Sequence, residues 1–140
     1  MFKVKTSIMC FVLFLFSVSQ LNADVKGIST NELFKLMKVG VKIIDIRKPK
    51  EIKKTGIIPT SYRLNFYKKD EKINRVKWLN RFVNIVKNRS IKFVLISSDG
   101  EKAKLGANLL YDQKKYKNPY YLEGGINSWI KKNKKIIKIK

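Results

Sequence analysis

The 140-residue sequence contains no histidine and one cysteine, Cys10. Without histidine the chain cannot form a Ser-His-Asp or Cys-His nucleophile pair, and it cannot bind a metal through imidazole. A single cysteine excludes an intrachain disulfide and a cluster of thiolate ligands. These two absences exclude most hydrolase and metalloenzyme chemistry, and we therefore expect no metal and no cofactor.

Residues 1–23 are predicted to be a secretory signal peptide. Lys3 and Lys5 precede an apolar run at residues 8–16, and Ala23 supplies a small residue for cleavage. The apolar run is much shorter than the ~20 residues that span a bilayer, so a retained anchor is the less favoured alternative. We therefore predict an exported protein, periplasmic or secreted. Cleavage would remove Cys10 and leave a chain without any thiol, stabilised by core packing alone.

Acidic residues are scarce. The chain has ten Asp and Glu and 32 Lys and Arg, which gives a net charge of +22. Such a charge can mark an acidic protein, a small anion or an anionic membrane surface as partner. It can also be compositional bias, since the 27 lysines, 17 isoleucines and 11 asparagines are typical of an AT-rich genome. We favour bias, except in residues 131–140, whose six lysines predict weak association with an anionic membrane surface. Nucleic acid is not expected as a partner of an exported protein.

Residues 24–133 are predicted to form one α/β domain, followed by a basic tail at residues 134–140. Short β-branched or apolar runs predict strands at residues 41–46, 62–66, 91–96 and 119–122. Capping signals and apolar spacing predict helices at residues 29–37, 73–87, 101–113 and 126–132. Residues 47–56 are interpreted as a polar segment that ends in a turn. Strands that alternate with helices imply a parallel sheet covered on both faces.

Three of these helices have candidate core faces. In the first helix Ser29 and Glu32 form a predicted capping box, and Leu33, Leu36 and Met37 are predicted to share one apolar face. The predicted apolar face of the second helix consists of Ile73, Val76, Leu79, Phe82, Val83 and Val86. In the third helix Ala103, Ala107 and Leu110 are predicted to point inward. Trp129 is predicted to lie in the core.

The loop after the strand at residues 91–96 is the candidate site, because ligands bind at the carboxyl ends of parallel strands. The candidate residues are Ser97, Ser98, Asp99, Gly100, Glu101, Lys102 and Ala103. Their backbone N–H groups enter a helix at its positive end, which predicts an anion-binding loop, and Lys102 adds positive charge. The alternative is a vestigial loop whose N–H groups are capped by Asp99 or by water.

Three motifs resemble those of rhodanese-like domains. Residues 44–47 (Ile-Asp-Ile-Arg), with Glu51, Gly56 and residues 58–59 (Ile-Pro), are similar to the opening motif of that family. Residues 122–126 with Trp129 are similar to its closing motif. The strand that leads to Gly100 stands where the family has its active-site loop, of form C-x-x-G-x-R-S. The resemblance covers residues 26–133 and implies a three-layer α/β/α fold with a small, mainly parallel five-stranded sheet.

The resemblance also implies sulfurtransferase chemistry, in which a loop cysteine carries a sulfane sulfur as a persulfide. This chain departs from the family at the residues that would react. Ser97 stands at the cysteine position, Lys102 and Ala103 replace the arginine and serine of the motif, and Ile57 replaces a histidine. A serine hydroxyl cannot store a persulfide, and no histidine can activate it. Asp45 and Arg47 are supporting residues, either orienting a ligand or, as we favour, forming a structural ion pair.

These observations lead to three functional hypotheses. The first is a non-catalytic binding or accessory module, which offers the 97–103 loop to a small oxyanion, a sulfur compound or a protein partner. The second is a sulfurtransferase-type protein that uses an external thiol or a partner that supplies one. The third is a basic interaction protein at an anionic membrane surface.

Overall fold

A computed structural model describes residues 25–66 and 75–140, and in it five parallel strands form one sheet. The strands are β1 (Lys26–Ile28), β2 (Lys42–Asp45), β3 (Tyr62–Arg63), β4 (Phe93–Ile96) and β5 (Pro119–Leu122). Their order across the sheet is β1-β5-β4-β2-β3. In the central register Ile44 of β2 is opposite Leu95 of β4. Because the strands are parallel, their carboxyl ends meet at one edge of the sheet, and the predicted site loop lies there.

Helices cover both faces of the sheet. They are α1 (Thr30–Lys38), α2 (Pro49–Thr55), α3 (Arg75–Val86), α4 (Glu101–Lys114) and α5 (Gly125–Lys131). One apolar core contains Phe82 of α3 and Ala107 of α4, and the other contains Leu33 of α1 and Trp129 of α5. This arrangement confirms the predicted three-layer α/β/α fold with a five-stranded sheet.

Several local predictions are confirmed. Ser29 Oγ accepts a hydrogen bond from Glu32 N at 3.2 Å, and the Glu32 carboxylate accepts one from Ser29 N at 2.9 Å, which completes the capping box of α1. The three inward positions of α4 are buried, as is Trp129. The predicted strand at residues 119–122 matches β5 in both bounds.

Two elements differ from the sequence prediction. Residues 49–55, which were expected to be a polar loop, form α2, because Pro49 starts the helix and the Glu51 carboxylate accepts a hydrogen bond from Lys48 N at 2.9 Å. The three-residue strand β1 was not predicted, because its sequence, Lys-Gly-Ile, is too short to show periodicity.

The buried face of α3 also differs from the prediction. Val76 and Val83 are exposed, whereas Trp78 is buried and stacks on Phe82 with ring centroids 5.2 Å apart. The buried stripe follows a spacing of four residues through Trp78, Phe82 and Val86. Large aromatic rings at these positions bury more apolar area than the valines of the predicted face. Ile73 and the predicted signal peptide lie outside the described residues.

The predicted C-terminal tail contacts the domain. Ile57 N donates to Ile137 O and Ile137 N donates to Ile57 O, both at 2.9 Å, in an isolated antiparallel bridge. The indole N–H of Trp129 donates to Lys135 O at 2.9 Å. The segment after residue 133 therefore packs on the domain, because isoleucines interrupt the lysines and Ile136 packs against the core.

No helix in the described part of the chain has the length and apolar character needed to span a lipid bilayer.

Candidate functional site

The loop after β4 folds around the side chain of Ser97. This residue is only 2% exposed, and its Oγ accepts hydrogen bonds from Gly100 N at 3.1 Å and from Ala103 N at 3.2 Å. Gly100 adopts φ +96°, a left-handed conformation in which a side chain would be strained. The loop thus forms a backbone cradle with the Ser97 hydroxyl at its centre.

The N-terminal end of α5 holds the outer side of this cradle. Ile126 N donates to Ser97 O at 2.9 Å, and Asn127 N donates to Ser98 O at 3.1 Å. Gly125, at φ +58°, lies so close that an added Cβ would press on both of these carbonyl oxygens. The closing motif of the sequence therefore supports the loop, and Gly125 is a supporting residue that sequence reasoning missed.

Several backbone N–H groups of the loop are satisfied within the chain. Glu101 N donates to Asp99 Oδ1 at 3.0 Å, and Lys104 N donates to Gly100 O at 2.9 Å, in addition to the two bonds to Ser97. Within the described residues, the N–H groups of Ser98 and Asp99 have no hydrogen-bond partner. The loop therefore combines internal capping with two N–H groups that can bind a ligand or a partner.

Glu51 of α2 joins the loop from a distant part of the sequence. Its carboxylate accepts a hydrogen bond from Ser98 Oγ at 2.8 Å, and the two residues are 47 positions apart in the sequence. Burial raises the pKa of Glu51, but the hydrogen bonds from Ser98 and Lys48 N and the charges of Lys102 and Arg47 outweigh it, so the pKa lies below its usual value. Glu51 was recognised in the opening motif but was not predicted to be a site residue.

Asp45 and Arg47 form a buried ion pair beneath the loop. Arg47 Nη2 lies 2.6 Å from Asp45 Oδ2, and Arg47 Nε lies 2.9 Å from Asp45 Oδ1. The guanidinium also donates to Thr55 Oγ1 at 2.7 Å and to Gly56 O at 2.8 Å. These bonds tie the end of β2 to the end of α2, which matches the structural reading that the sequence favoured.

A small pocket of about 120 Å³ opens beside the cradle. It is lined by Ile46, Arg47, Glu51, Ser97, Ser98, Asp99 and Lys102. Among the predicted site residues, Gly100 and Ala103 hold Ser97, Asp45 lies behind Arg47, and Glu101 is exposed on the first turn of α4. The pocket carries the carboxylates of Glu51 and Asp99 as well as two cationic side chains, so its charge is mixed.

A larger cavity of about 450 Å³ lies between α3 and α4. Most of its lining is apolar, including Trp78, Leu79 and Leu109. It contains none of the loop residues 97–103, and it offers no candidate nucleophile. The described residues bring together no group of three Asp or Glu side chains that could hold a metal ion.

The rhodanese-like domain family matches residues 29–132, which is most of the chain. The chain belongs to the rhodanese-like family. The matched range includes the Ser97 loop between β4 and α4.

Solved structures share this rhodanese-like fold. A rhodanese-related protein from Thermoplasma volcanium is 22% identical, with a TM-score of 0.58, and the match covers 81% of this chain and 99% of that one. The polysulfide-sulfur transferase of Wolinella succinogenes is 19% identical, with a TM-score of 0.62 and coverage of 82% and 80%. The thiosulfate sulfurtransferase of Pseudomonas aeruginosa is 13% identical, with a TM-score of 0.65, and the match covers 81% of this chain and 20% of that enzyme. No curated protein matches the chain significantly.

Proposed function

We propose that this protein is an exported, non-catalytic rhodanese-like module that has lost the sulfur-carrying cysteine of its family and binds a protein partner at the loop after β4. The observation that carries the proposal is the position of Ser97. Its hydroxyl lies in the backbone cradle at the carboxyl end of β4, where the resemblance places the reactive thiol. An oxygen atom there can fill the cradle, but it cannot carry a sulfane sulfur.

The surroundings of Ser97 support a non-catalytic role. Its Oγ is buried and accepts two backbone N–H hydrogen bonds, and within the described residues the Ser97 hydroxyl donates to no side-chain base. Activation of a serine needs an adjacent base. Glu51, a carboxylate residue in the lining of the same pocket, accepts hydrogen bonds from Ser98 Oγ and Lys48 N and none from Ser97.

The electrostatics of the pocket favour a protein partner over a free anion. The carboxylates of Glu51 and Asp99 line the pocket, and the charge of Arg47 is balanced by Asp45. A small oxyanion would therefore meet two carboxylates against one cation, Lys102, that Asp45 does not balance. A partner carbonyl, which is uncharged, can accept hydrogen bonds from the N–H groups of Ser98 and Asp99 without this repulsion.

A second candidate is a sulfur-handling protein that works with an external thiol. It is favoured by the fold shared with proteins named as polysulfide-sulfur and thiosulfate sulfurtransferases. In that case the 120 Å³ pocket would admit a small sulfur compound beside Ser97. The partner would supply the thiol that this chain lacks.

Sulfur transfer from thiosulfate to cyanide distinguishes the two candidates. The chain should be expressed with its own leader, and a purified product that begins at Asp24 would support export. We expect no thiocyanate above the buffer rate, with or without an added low-molecular-weight thiol. Turnover by the unmodified chain would overturn the non-catalytic proposal, and turnover that requires the thiol would favour the second candidate.

Two variants make the result interpretable. Ser97→Cys should acquire a persulfide if the cradle still supports transfer, while Ser97→Ala should remain inactive. An inert Ser97→Cys would indicate that the loop has also lost the geometry for transfer.

Partner binding is tested separately. A photo-crosslinking residue in place of Asp99 should capture a defined partner, whereas the same residue in place of the exposed Lys117 should not. Chemical-shift changes with thiosulfate or sulfate confined to residues 98–102 would instead favour the small-anion alternative.

A further inference from the structure

One surface of the protein carries lysines with no acidic residue among them. It is formed by residues 33–39, at the end of α1, and by residues 125–140, which comprise α5 and the C-terminal segment. Residues 33–39 and 125–140 contain no Asp or Glu. The ion pairs Lys26–Glu32 and Arg47–Asp45 use no lysine of these two segments.

Phe34 lies at the centre of this surface. Its side chain is 43% exposed, and Lys38 Nζ and Lys134 Nζ lie 5.0 Å and 4.8 Å from the centroid of its ring. Each contact is a weak cation–π interaction. Two ammonium groups beside one ring repel each other, and nearby anions would reduce that repulsion. The contact also joins α1 to the C-terminal segment in a single surface.

Exposed apolar side chains stand among these lysines. Val39 is 80% exposed and Ile130 is 39% exposed, in addition to Phe34. We name as the basic face the set Phe34, Lys35, Lys38, Val39, Ile130, Lys131, Lys134 and Lys135. Apolar side chains surrounded by long cationic ones match the interface of a bilayer, where rings and alkyl groups enter the headgroup layer and ammonium groups reach the phosphates.

We propose that the basic face binds the surface of an anionic lipid bilayer, with Phe34 in the headgroup layer and the lysines on lipid phosphates. A nucleic acid would satisfy the charges but would leave the exposed apolar groups without an apolar phase, and an acidic polymer is tested separately below. The proposal is independent of the function proposed for the loop, because α1 and α5 cover one face of the sheet while the loop lies at its carboxyl edge.

Vesicle binding by the purified chain tests the proposal. The protein should sediment with vesicles of phosphatidylglycerol and phosphatidylcholine but not with pure phosphatidylcholine, at a salt concentration near 0.1 M, where the Debye length is about 10 Å. The basic-face variant replaces four lysines by glutamine: Lys38, Lys131, Lys134 and Lys135. A charge-matched control replaces four exposed lysines elsewhere: Lys87, Lys104, Lys114 and Lys117.

The two variants should differ sharply. Because each lysine near an anionic surface contributes about a fivefold gain, the loss of four should weaken binding by the basic-face variant by roughly 100-fold or more. The control should lose no more than roughly threefold, since its lysines lie away from the surface. Equal losses in both variants would overturn the proposal, because they would show that net charge alone drives binding.

A fluorescent probe tests insertion. Phe34→Trp should show a blue-shifted emission from the new indole on anionic vesicles, relative to the parent protein. Val83→Trp, at an exposed position of α3 on the opposite face of the sheet, should show no such shift. Equal emission shifts in both variants would overturn the lipid assignment. The assignment would also be overturned if the protein bound polyglutamate as tightly as anionic vesicles and Phe34→Trp showed no emission shift on the vesicles.

Discussion

Arg47 and Asp45 are two residues apart and form an ion pair whose side chains are 2% and 1% exposed. Their closest atoms, Nη2 and Oδ2, are 2.6 Å apart. The same guanidinium bonds Thr55 and Gly56, so one side chain connects the end of β2 to the end of α2. This connection fixes the base of the small pocket beside Ser97 and makes Arg47 a structural residue of the site.

Removal of the arginine should destabilise the fold strongly. Arg47→Met leaves the Asp45 carboxylate buried without its partner, which costs about 3–5 kcal/mol in the free energy of unfolding. The double variant Asp45→Asn, Arg47→Met should recover part of this loss, because it removes the unpaired charge. Urea unfolding of the three proteins measures both effects, and a loss below about 1 kcal/mol in the single variant would contradict the structural role.

Loss of the Ser97 hydroxyl should destabilise the loop. Ser97→Ala leaves Gly100 N and Ala103 N without their acceptor, at a cost of about 1–3 kcal/mol. Amide hydrogen exchange at these two positions should accelerate more than exchange in α1. Ser98→Ala, which leaves both N–H groups bonded, is the control. Unchanged exchange at both amides would show that the cradle does not depend on Ser97.

The contribution of Glu51 to stability should depend on pH. Its pKa is lower in the folded protein than its usual value of 4.5, so its contribution is present above about pH 4.5 and is lost as the pH falls through the folded pKa. The difference in unfolding free energy between the parent protein and Glu51→Gln should therefore be constant near neutral pH and shrink in acid. Glu101→Gln, in the exposed first turn of α4, is the control, and a difference that grows in acid would contradict the sign.

Gly125 and Gly40 both have a left-handed backbone, so their alanine variants separate the cost of steric crowding from the cost of backbone strain. Gly125→Ala combines φ +58° with a Cβ only 2.5 Å from Ser98 O, and it should cost about 2–5 kcal/mol. Gly40→Ala has φ +77° but no atom within 4 Å of the added Cβ, and it should cost about 1–2 kcal/mol. Thermal unfolding compares them. Equal losses would mean that α5 does not press on the loop.

Local sequence signals determined much of the fold. Capping residues placed the start of α1 at Ser29, and β-branched runs identified β2 and β4, because these signals depend only on near neighbours along the chain. The order of three motifs around residues 44–47, 97–103 and 122–126 was enough to predict the fold family. The absence of histidine and the serine at position 97 were also read directly, and they shaped the functional proposal.

Tertiary structure decided the features that depend on distant residues. The hydrogen bond between Ser98 and Glu51 joins positions 47 residues apart, and the bridge between Ile57 and Ile137 converts a predicted tail into a packed segment. The buried face of α3 followed Trp78 because it packs on Phe82, although the valines fit a helical period. Periodicity and motifs describe what a segment can form, whereas packing selects its partners, and here that selection placed the Glu51 carboxylate beside a loop that the sequence alone predicted to bind an anion.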